Sequence, residues 1–174
     1  MTDVPDSERE LVEKLRELDQ DAWAALFDEH QPRIWRYVLA RTGDRQTADD
    51  VTSQVFVEAL ESIHRFQHRG KPVLAWLFRI ARNHMGKAFR TRKREVAGPA
   101  PEPAAEDIAV TLDSIIVAEA LATLTRDQAD AVVLRYFSGY STREIAQSMG
   151  KSESAVYSLQ IRAIGSMRRY LLKG

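Results

Sequence analysis

Two pairs of side chains in the N-terminal half have residue types that could support catalysis or metal binding. Asp49 and Asp50 are adjacent carboxylates, and His64 and His68 are four residues apart, as two ligands on one helix face would be. No carboxylate or third ligand follows at a convincing spacing, and arginines stand beside both histidines. We therefore predict no metal, no cofactor and no catalytic residue. The histidines belong to a basic loop, and the carboxylates complement a helix dipole near its amino end.

A second group of polar residues lies in the segment Tyr140–Ala163. Ser141 and Glu144 have the spacing of a capping box, Gly150 supplies a tight turn, and Ser152 can cap a second helix. This pattern predicts a helix-turn-helix. The second helix would present small and polar side chains to the floor of a DNA major groove, and its basic end would contact flanking phosphates. An ordinary helical hairpin within a bundle is the alternative interpretation.

Charge is segregated along the chain, although the formal net charge is +0. Residues 65–94 contain ten basic residues and no acidic one, and residues 95–113 contain five acidic residues and no basic one. Residues 151–174 are again basic, with Glu153 as their single acid. Two basic surfaces separated by an acidic tether form a specific pattern, which we favour over the alternative of ordinary solvated helix faces.

Helices must position these residues. In the N-terminal half, apolar residues recur at three- and four-residue steps, with a break predicted near Gln31–Pro32. Four further helical segments are predicted from Thr111 onward, and a proline-rich acidic stretch precedes them. We predict an all-α fold in which two small helical domains are joined by a flexible acidic linker.

Composition narrows the cellular setting. The 174 residues include no cysteine, so disulfides and thiolate metal sites are excluded. No apolar run approaches the roughly 20 residues of a membrane span, and the acidic N-terminus lacks the apolar core of a signal peptide. We expect a cytoplasmic protein without membrane insertion.

Two stretches resemble a known family. "LTRDQADAVVLRYFSGYSTREIAQSMGKSESAVYSLQIRAIGSMRRYL" resembles domain four of bacterial sigma factors, and "ADDVTSQVFVEALESIHRF" with "RGKPVLAWLFRIARNHMGKAFR" resembles their domain two. The short linker in place of a domain three is similar to the extracytoplasmic-function (ECF) group. The resemblance implies domain two at residues 1–94, a linker at 95–113 and domain four at 114–174. The sequence departs from the family pattern at Lys87 and at Ser53–Gln54.

The resemblance also implies three sets of contact residues. Contacts with the upstream (−35) promoter element would come from the recognition helix, through Ser152, Glu153, Ser154, Tyr157, Ser158 and Arg162. Contacts with the downstream (−10) element, and its melting, would come from Arg65, Gln67, His68, Arg69, Trp76, Arg79, Arg82 and Asn83. Docking on core RNA polymerase would use Asp49, Asp50, Gln54 and Glu58.

The resemblance predicts a non-enzymatic sigma factor that directs core RNA polymerase to promoter DNA, binding it as duplex and as single strand. An anti-sigma factor is the expected regulatory partner. Two alternatives stay open at this point. A stand-alone helix-turn-helix regulator would leave the N-terminal half without a role, and a helical enzyme built on Asp49, Asp50, His64 and His68 would leave the C-terminal half unexplained.

Overall fold

The structure, a computed structural model, describes residues 6–68, 71–95 and 108–173. Its regular elements in those ranges are helices, in agreement with the all-α prediction. They are α1 (Asp6–Arg16), α2 (Gln20–Thr42), α3 (Arg45–Ser62), a short 3-10 helix (Ile63–Arg65), α4 (Val73–Glu95), α5 (Ile108–Ala122), α6 (Arg126–Tyr136), α7 (Thr142–Met149) and α8 (Glu153–Leu171). None of the helices formed by the described residues is both long and apolar enough to cross a bilayer.

The N-terminal half is a bundle in which α3 packs between α2 and α4. Asp19 and Asp44 cap α2 and α3, each accepting a hydrogen bond from the backbone N–H three residues later. Gly43 ends α2 at φ 66°, in the left-handed region where a side chain would be strained. These local signals fix a tight corner, and the apolar faces of the three helices then close over a common core.

Two features of this half differ from the prediction. Helix α2 runs unbroken from Gln20 to Thr42 with Pro32 inside it, so the predicted break is wrong. A proline removes one backbone donor, and the buried residues on both sides, including Leu26 and Ile34, hold the helix in one piece. Helix α1 was not predicted at all. Its Val12 and Leu15 are buried, while most of its other side chains are charged.

In the C-terminal half, α8 packs on α6 and α7, and α5 lies beside α8. Thr125 with Gln128, and Ser141 with Glu144, form the reciprocal capping boxes that their spacing predicts. Gly150 adopts φ 65° between α7 and α8, and the Ser152 side chain accepts the Ala155 N–H. The predicted helix-turn-helix is therefore formed, with Ile145, Ala146, Val156 and Ala163 buried inside it.

The two halves share one continuous core. The ring of Tyr140, which precedes α7, lies edge-on to Phe78 of α4, with ring centroids 5.6 Å apart. Phe78 in turn meets Tyr37 of α2 at 5.2 Å. Tyr37 and Tyr140 are both fully buried, so the halves pack together through aromatic side chains that the sequence did not connect.

Candidate nucleic-acid interface

The first turns of α8 form an exposed polar face. Val156, Gln160 and Ala163 point into the protein, so the intervening positions are turned to solvent. Tyr157 is 60% exposed. All the predicted contact residues of this helix are exposed: Ser152, Glu153, Ser154, Tyr157, Ser158 and Arg162. The first turns of α8 therefore present these polar side chains to solvent.

Two side chains of α8 have intramolecular roles that the sequence did not reveal. Gln160 is buried and donates through Nε2 to the Ala131 carbonyl at 3.3 Å, which fastens α8 to α6. Arg162 donates through Nε to the Ser158 carbonyl at 3.2 Å, so its guanidinium lies along its own helix. Gln160 is therefore structural, whereas Arg162 stays exposed and can extend towards a phosphate.

A cleft of about 960 Å³ lies between the two halves. Arg79, Arg82 and Asn83 of α4 line one side of it, and Arg65 and Gln67 of the preceding loop line another. The far wall comes from the C-terminal half, through Asp130, Leu134, Ser148 and Met149. Together with Trp76, the structure thus gathers six of the predicted downstream-element residues around one cavity. Arg69, another of them, lies outside the described residues.

Aromatic side chains form the floor of this cleft. Trp76 is only 6% exposed and stacks at a tilt on Phe66, with ring centroids 4.7 Å apart. The backbone carbonyl of Phe66 accepts a hydrogen bond from Arg16 of α1 at 2.5 Å. The loop before α4 is therefore held by α1, and Trp76 contributes a supporting surface rather than a ring that projects into solvent.

A charged cluster closes the cleft on the side of the C-terminal half. Asp130 of α6 is 3% exposed, and its carboxylate accepts a hydrogen bond from the Tyr37 hydroxyl at 2.6 Å. The Arg82 guanidinium pairs with the other oxygen of the same carboxylate. Burial, reinforced by the neighbouring Asp130 charge, raises the pKa of Tyr37 well above its usual value, so Tyr37 stays a neutral donor.

Asp127 extends the same cluster towards the helix-turn-helix. Its carboxylate lies 3.6 Å from the Arg82 guanidinium and 3.1 Å from the Lys151 ammonium. Lys151 stands immediately after the turn at Gly150. The cluster therefore links the basic helix α4 to the start of the predicted recognition helix.

The outer face of α3 carries the residues predicted to dock on polymerase, and the structure divides them. Asp49 accepts a hydrogen bond from the Trp35 indole at 2.7 Å, and Glu58 pairs with His84 at 2.6 Å. Asp50 and Gln54 are exposed. Asp49 and Glu58 thus also brace α3 against α2 and α4, while Asp50 and Gln54 are presented to solvent.

The same face includes apolar residues that the sequence interpretation did not assign to a contact. Val57 is 56% exposed and Leu60 is 48% exposed, although helical periodicity placed Leu60 in the core. With Asp50 and Gln54 they make a stripe along α3, because residues three and four apart share a helix face. The sequence signal that could have identified this apolar contact is the position of Val57, one helical turn after Gln54.

His64 and His68 are not joined by further metal ligands in the part of the chain that the structure describes. No group of three histidine or carboxylate side chains there is arranged to hold an ion. His64 is exposed on the 3-10 helix, and His68 lies beside the Phe66 ring at a centroid distance of 6.2 Å.

The sequence matches two family models in chain order. Residues 26–95 match Sigma-70 region 2, and residues 114–164 match Sigma-70, region 4. The first match contains the cleft-lining face of α4 and the second contains the helix-turn-helix. The two matches define a protein with the paired regions of a sigma-70-type factor.

Similar proteins specify the group. The ECF RNA polymerase sigma factor SigL of Mycobacterium tuberculosis (strain ATCC 25618 / H37Rv) is 34% identical over 151 residues, which cover 83% of this chain and 85% of SigL. The ECF RNA polymerase sigma factor BldN of Streptomyces coelicolor is 32% identical over 171 residues, covering 93% of this chain and 65% of BldN. The chain belongs to the ECF RNA polymerase sigma factors, as the resemblance implied.

Two solved structures share the fold. CnrH, in complex with the cytosolic domain of CnrY, has a TM-score of 0.69 and 26% identity, covering 94% of this chain and 96% of CnrH. The sigma factor RpoE, in complex with the anti-sigma factor NepR from Bartonella quintana, has a TM-score of 0.54 and 25% identity, covering 81% of this chain and 91% of RpoE.

Proposed function

We propose that this chain is a promoter-specificity subunit that binds core RNA polymerase, recognises two promoter elements and assists strand opening, without catalysis of its own. The observation that carries the proposal is that one chain contains both a capped helix-turn-helix with an exposed polar face and an arginine-lined cleft. In this proposal residues 1–94 act as domain two, residues 95–113 as the linker and residues 114–174 as domain four.

Upstream recognition belongs to α8. Ser154 and Ser158 are small enough for the helix to approach base edges, and Tyr157 adds a hydroxyl and a flat apolar face. Ser152 and Glu153 are exposed at the amino end of α8, where the helix dipole favours a bound phosphate. The Glu153 carboxylate can accept a hydrogen bond from the amino group of a cytosine. Arg162 then fixes the register by contacting the backbone.

Downstream capture belongs to the cleft. The arginines of α4 and the preceding loop provide a cationic path for a single strand, and Gln67 and Asn83 provide donors and acceptors for the edge of an unstacked base. His68 lies beside the Phe66 ring and is not among the residues that line the cleft. Binding a flipped base offsets the free-energy cost of unstacking it, which is roughly a few kcal/mol. Strand opening in this proposal therefore uses binding energy alone.

Polymerase docking belongs to the α3 stripe. Asp50 and Gln54 offer a charge and an amide, and Val57 and Leu60 add exposed apolar area between them. Asp49 and Glu58 would contribute at the edge of this surface while keeping their partners on α2 and α4. We expect the protein to act in the cytoplasm, where it would meet core polymerase.

An anti-sigma factor is the regulatory partner we propose. RpoE, which this chain resembles over most of its length, was solved with the anti-sigma factor NepR. The chain has no cysteine, so a thiol-based signal would have to be sensed by such a partner.

In vitro transcription with core polymerase tests the proposed function. The purified chain should support transcripts from a subset of genomic promoters, and potassium permanganate should reveal melted thymines near their start sites. A promoter with both elements shuffled is the matched control and should give none. Sequence-specific DNA binding with no transcript and no retention of core polymerase would instead identify a stand-alone regulator.

A further inference from the structure

The contact between the two halves occupies side chains that the proposed function assigns to promoter DNA. Arg82 of α4 is one of the cleft arginines, yet its guanidinium is paired with Asp130 and lies 3.6 Å from Asp127. Both acids stand on α6 of the C-terminal half. A carboxylate and a phosphate are recognised by arginine through the same charge-assisted hydrogen bonds. Two acids of domain four therefore stand where a promoter phosphate would bind.

Asp130 is bound entirely by the other half in the part of the chain that the structure describes. Its partners are Tyr37 and Arg82, both from the N-terminal half, and it is 3% exposed. A buried carboxylate needs such partners, because an unpaired buried charge is strongly unfavourable. Tyr37 and Arg82 thus form a socket on the N-terminal half that Asp130 occupies only when the two halves are packed together.

Other contacts join the two halves along the same interface, the seam between the N-terminal and C-terminal halves. The Ser138 hydroxyl donates to the Arg33 carbonyl at 2.9 Å, and the Arg33 guanidinium lies 4.7 Å from the centroid of the Tyr140 ring. A Cβ placed on Gly150 would stand 3.6 Å from the Lys71 ammonium, so the basic loop before α4 abuts the helix-turn-helix. The cleft is walled by α6 and α7 as a result.

We propose that Asp130, assisted by Asp127, is an autoinhibitory latch that keeps the free chain closed by holding Arg82 in place of promoter phosphate. This rests on the proposed function, since it is that function's downstream-element face that the latch covers. Separation of the two halves frees Arg82 and exposes the cleft. Because only open molecules can bind single-stranded DNA there, the apparent affinity of the free chain is proportional to the fraction of molecules that are open.

The test uses the full chain without polymerase. Because the chain has no cysteine, Glu13→Cys and Lys173→Cys allow a donor and an acceptor dye to be placed on exposed positions of the two halves. Energy transfer reports closure, and fluorescence anisotropy of a labelled random-sequence 12-mer of single-stranded DNA reports access to the cleft. Asp130→Asn removes the charge while keeping the side chain's shape. We expect lower transfer and about tenfold tighter DNA binding, as for one lost charge-assisted hydrogen bond.

Two further variants make the result specific. Tyr37→Phe deletes one hydroxyl from the socket, and it should open the chain in the same direction. Combined with Asp130→Asn it should add less than its own effect, because both side chains belong to one hydrogen-bond network. Glu119→Gln removes the same formal charge from α5, where Glu119 accepts from Tyr170 of the same half. It should leave energy transfer unchanged and controls for the effect of net charge on DNA binding.

Wild-type energy transfer in both Asp130→Asn and Tyr37→Phe, with circular dichroism showing intact helices, would overturn the latch. If Asp130→Asn loses helicity, Tyr37→Phe alone decides. Neither readout involves polymerase, so the latch can fail while promoter-dependent transcription stands. Conversely, if the Asp130 and Tyr37 variants open the chain as expected but the protein never supports transcription, the proposed function is contradicted and the latch is not.

Discussion

Asp49 and Asp50 are neighbours in the sequence, but their surroundings differ. Successive helical residues point in different directions, so Asp49 reaches the Trp35 indole of α2 while Asp50 faces solvent. Glu58 and Gln54 are separated in the same way, because His84 of α4 binds Glu58. Residue type alone made all four equal candidates for a partner surface, and side-chain direction ranks Asp50 and Gln54 first.

We predict that Asp50→Arg weakens binding to core RNA polymerase by roughly tenfold, about 1.4 kcal/mol. Reversing an exposed charge at a complementary surface replaces an attraction by a repulsion without removing any contact inside the fold. Surface plasmon resonance on immobilised core polymerase measures the change. Glu17→Arg, an equal reversal at an exposed position after α1, should retain wild-type affinity. If Asp50→Arg bound core polymerase as tightly as Glu17→Arg, the docking surface would have to be assigned to a part of the protein other than α3.

At the scale of elements, the turn between α7 and α8 depends on backbone conformation. Gly150 sits at φ 65°, and a Cβ there would meet only the Lys71 side chain, at 3.6 Å. The space is adequate, so the requirement for glycine comes from the left-handed backbone itself. Gly165, in the middle of α8, is the opposite case. Its Cβ would meet the Arg169 side chain at 3.8 Å, in ordinary helical backbone.

We predict that Gly150→Ala lowers the free energy of unfolding by about 1–2 kcal/mol, the approximate penalty for a left-handed L-residue. Gly165→Ala should raise it by about 0.5–1 kcal/mol, because alanine is the better helix former and restricts the unfolded chain. Urea titration followed by circular dichroism measures both. The two variants add the same methyl group, so a loss of stability in both would show that side-chain crowding, not backbone strain, decides.

Local signals explain why these elements could be predicted from the sequence. A cap joins a side chain to a backbone group three residues away, as in Ser141 and Glu144, so both partners are visible in one short segment. Helix α1 was equally predictable, because Leu11, Val12 and Leu15 lie on one face of an otherwise charged segment, and that face packs against α2. Pro32 is a different case, since tertiary burial of α2 outweighs the local loss of a backbone donor.

The candidate site was predictable residue by residue but not as an assembly. Residue spacing predicted the helix-turn-helix that contains α8, and the resemblance to sigma factors assigned the basic face of α4 to DNA. Asp130 and Tyr37 are 93 residues apart in the sequence, so nothing local connects them. The same holds for Gln160 and Ala131, whose hydrogen bond fastens α8 to α6.

At the scale of the whole molecule, the seam between the halves contains a second buried polar contact, formed by His30 and Tyr140. His30 Nδ1 and the Tyr140 hydroxyl are 2.9 Å apart and largely removed from solvent. Glu29 and Arg33 of α2 and Glu144 of α7 are the charged groups that act on His30. Burial lowers the pKa of His30, and the Arg33 charge adds to this, while the two carboxylates oppose it.

Glu144 responds to pH at the same seam. Burial tends to raise the pKa of Glu144, but hydrogen bonds from the Ser141 backbone and hydroxyl, with the Arg33 charge, bring it below the ordinary value. A carboxylate with a lowered pKa contributes stability that is present above its unfolded pKa of about 4.5 and is lost as pH falls further. Its effect therefore lies at more acidic pH than that of His30.

We predict that the free energy of unfolding falls as pH drops below about 6.5, the ordinary pKa of histidine. With the folded pKa of His30 lowered, the unfolded chain binds the proton first, so stability is full above that pH and declines towards the folded pKa. Urea titrations between about pH 7.5 and 5.5 measure the slope. His30→Gln should flatten it, because glutamine binds no proton there. Ser138→Ala, which removes the hydrogen bond to the Arg33 carbonyl, should lower stability at every pH and keep the slope. A His30→Gln slope as steep as that of the wild type would assign the pH dependence to other groups.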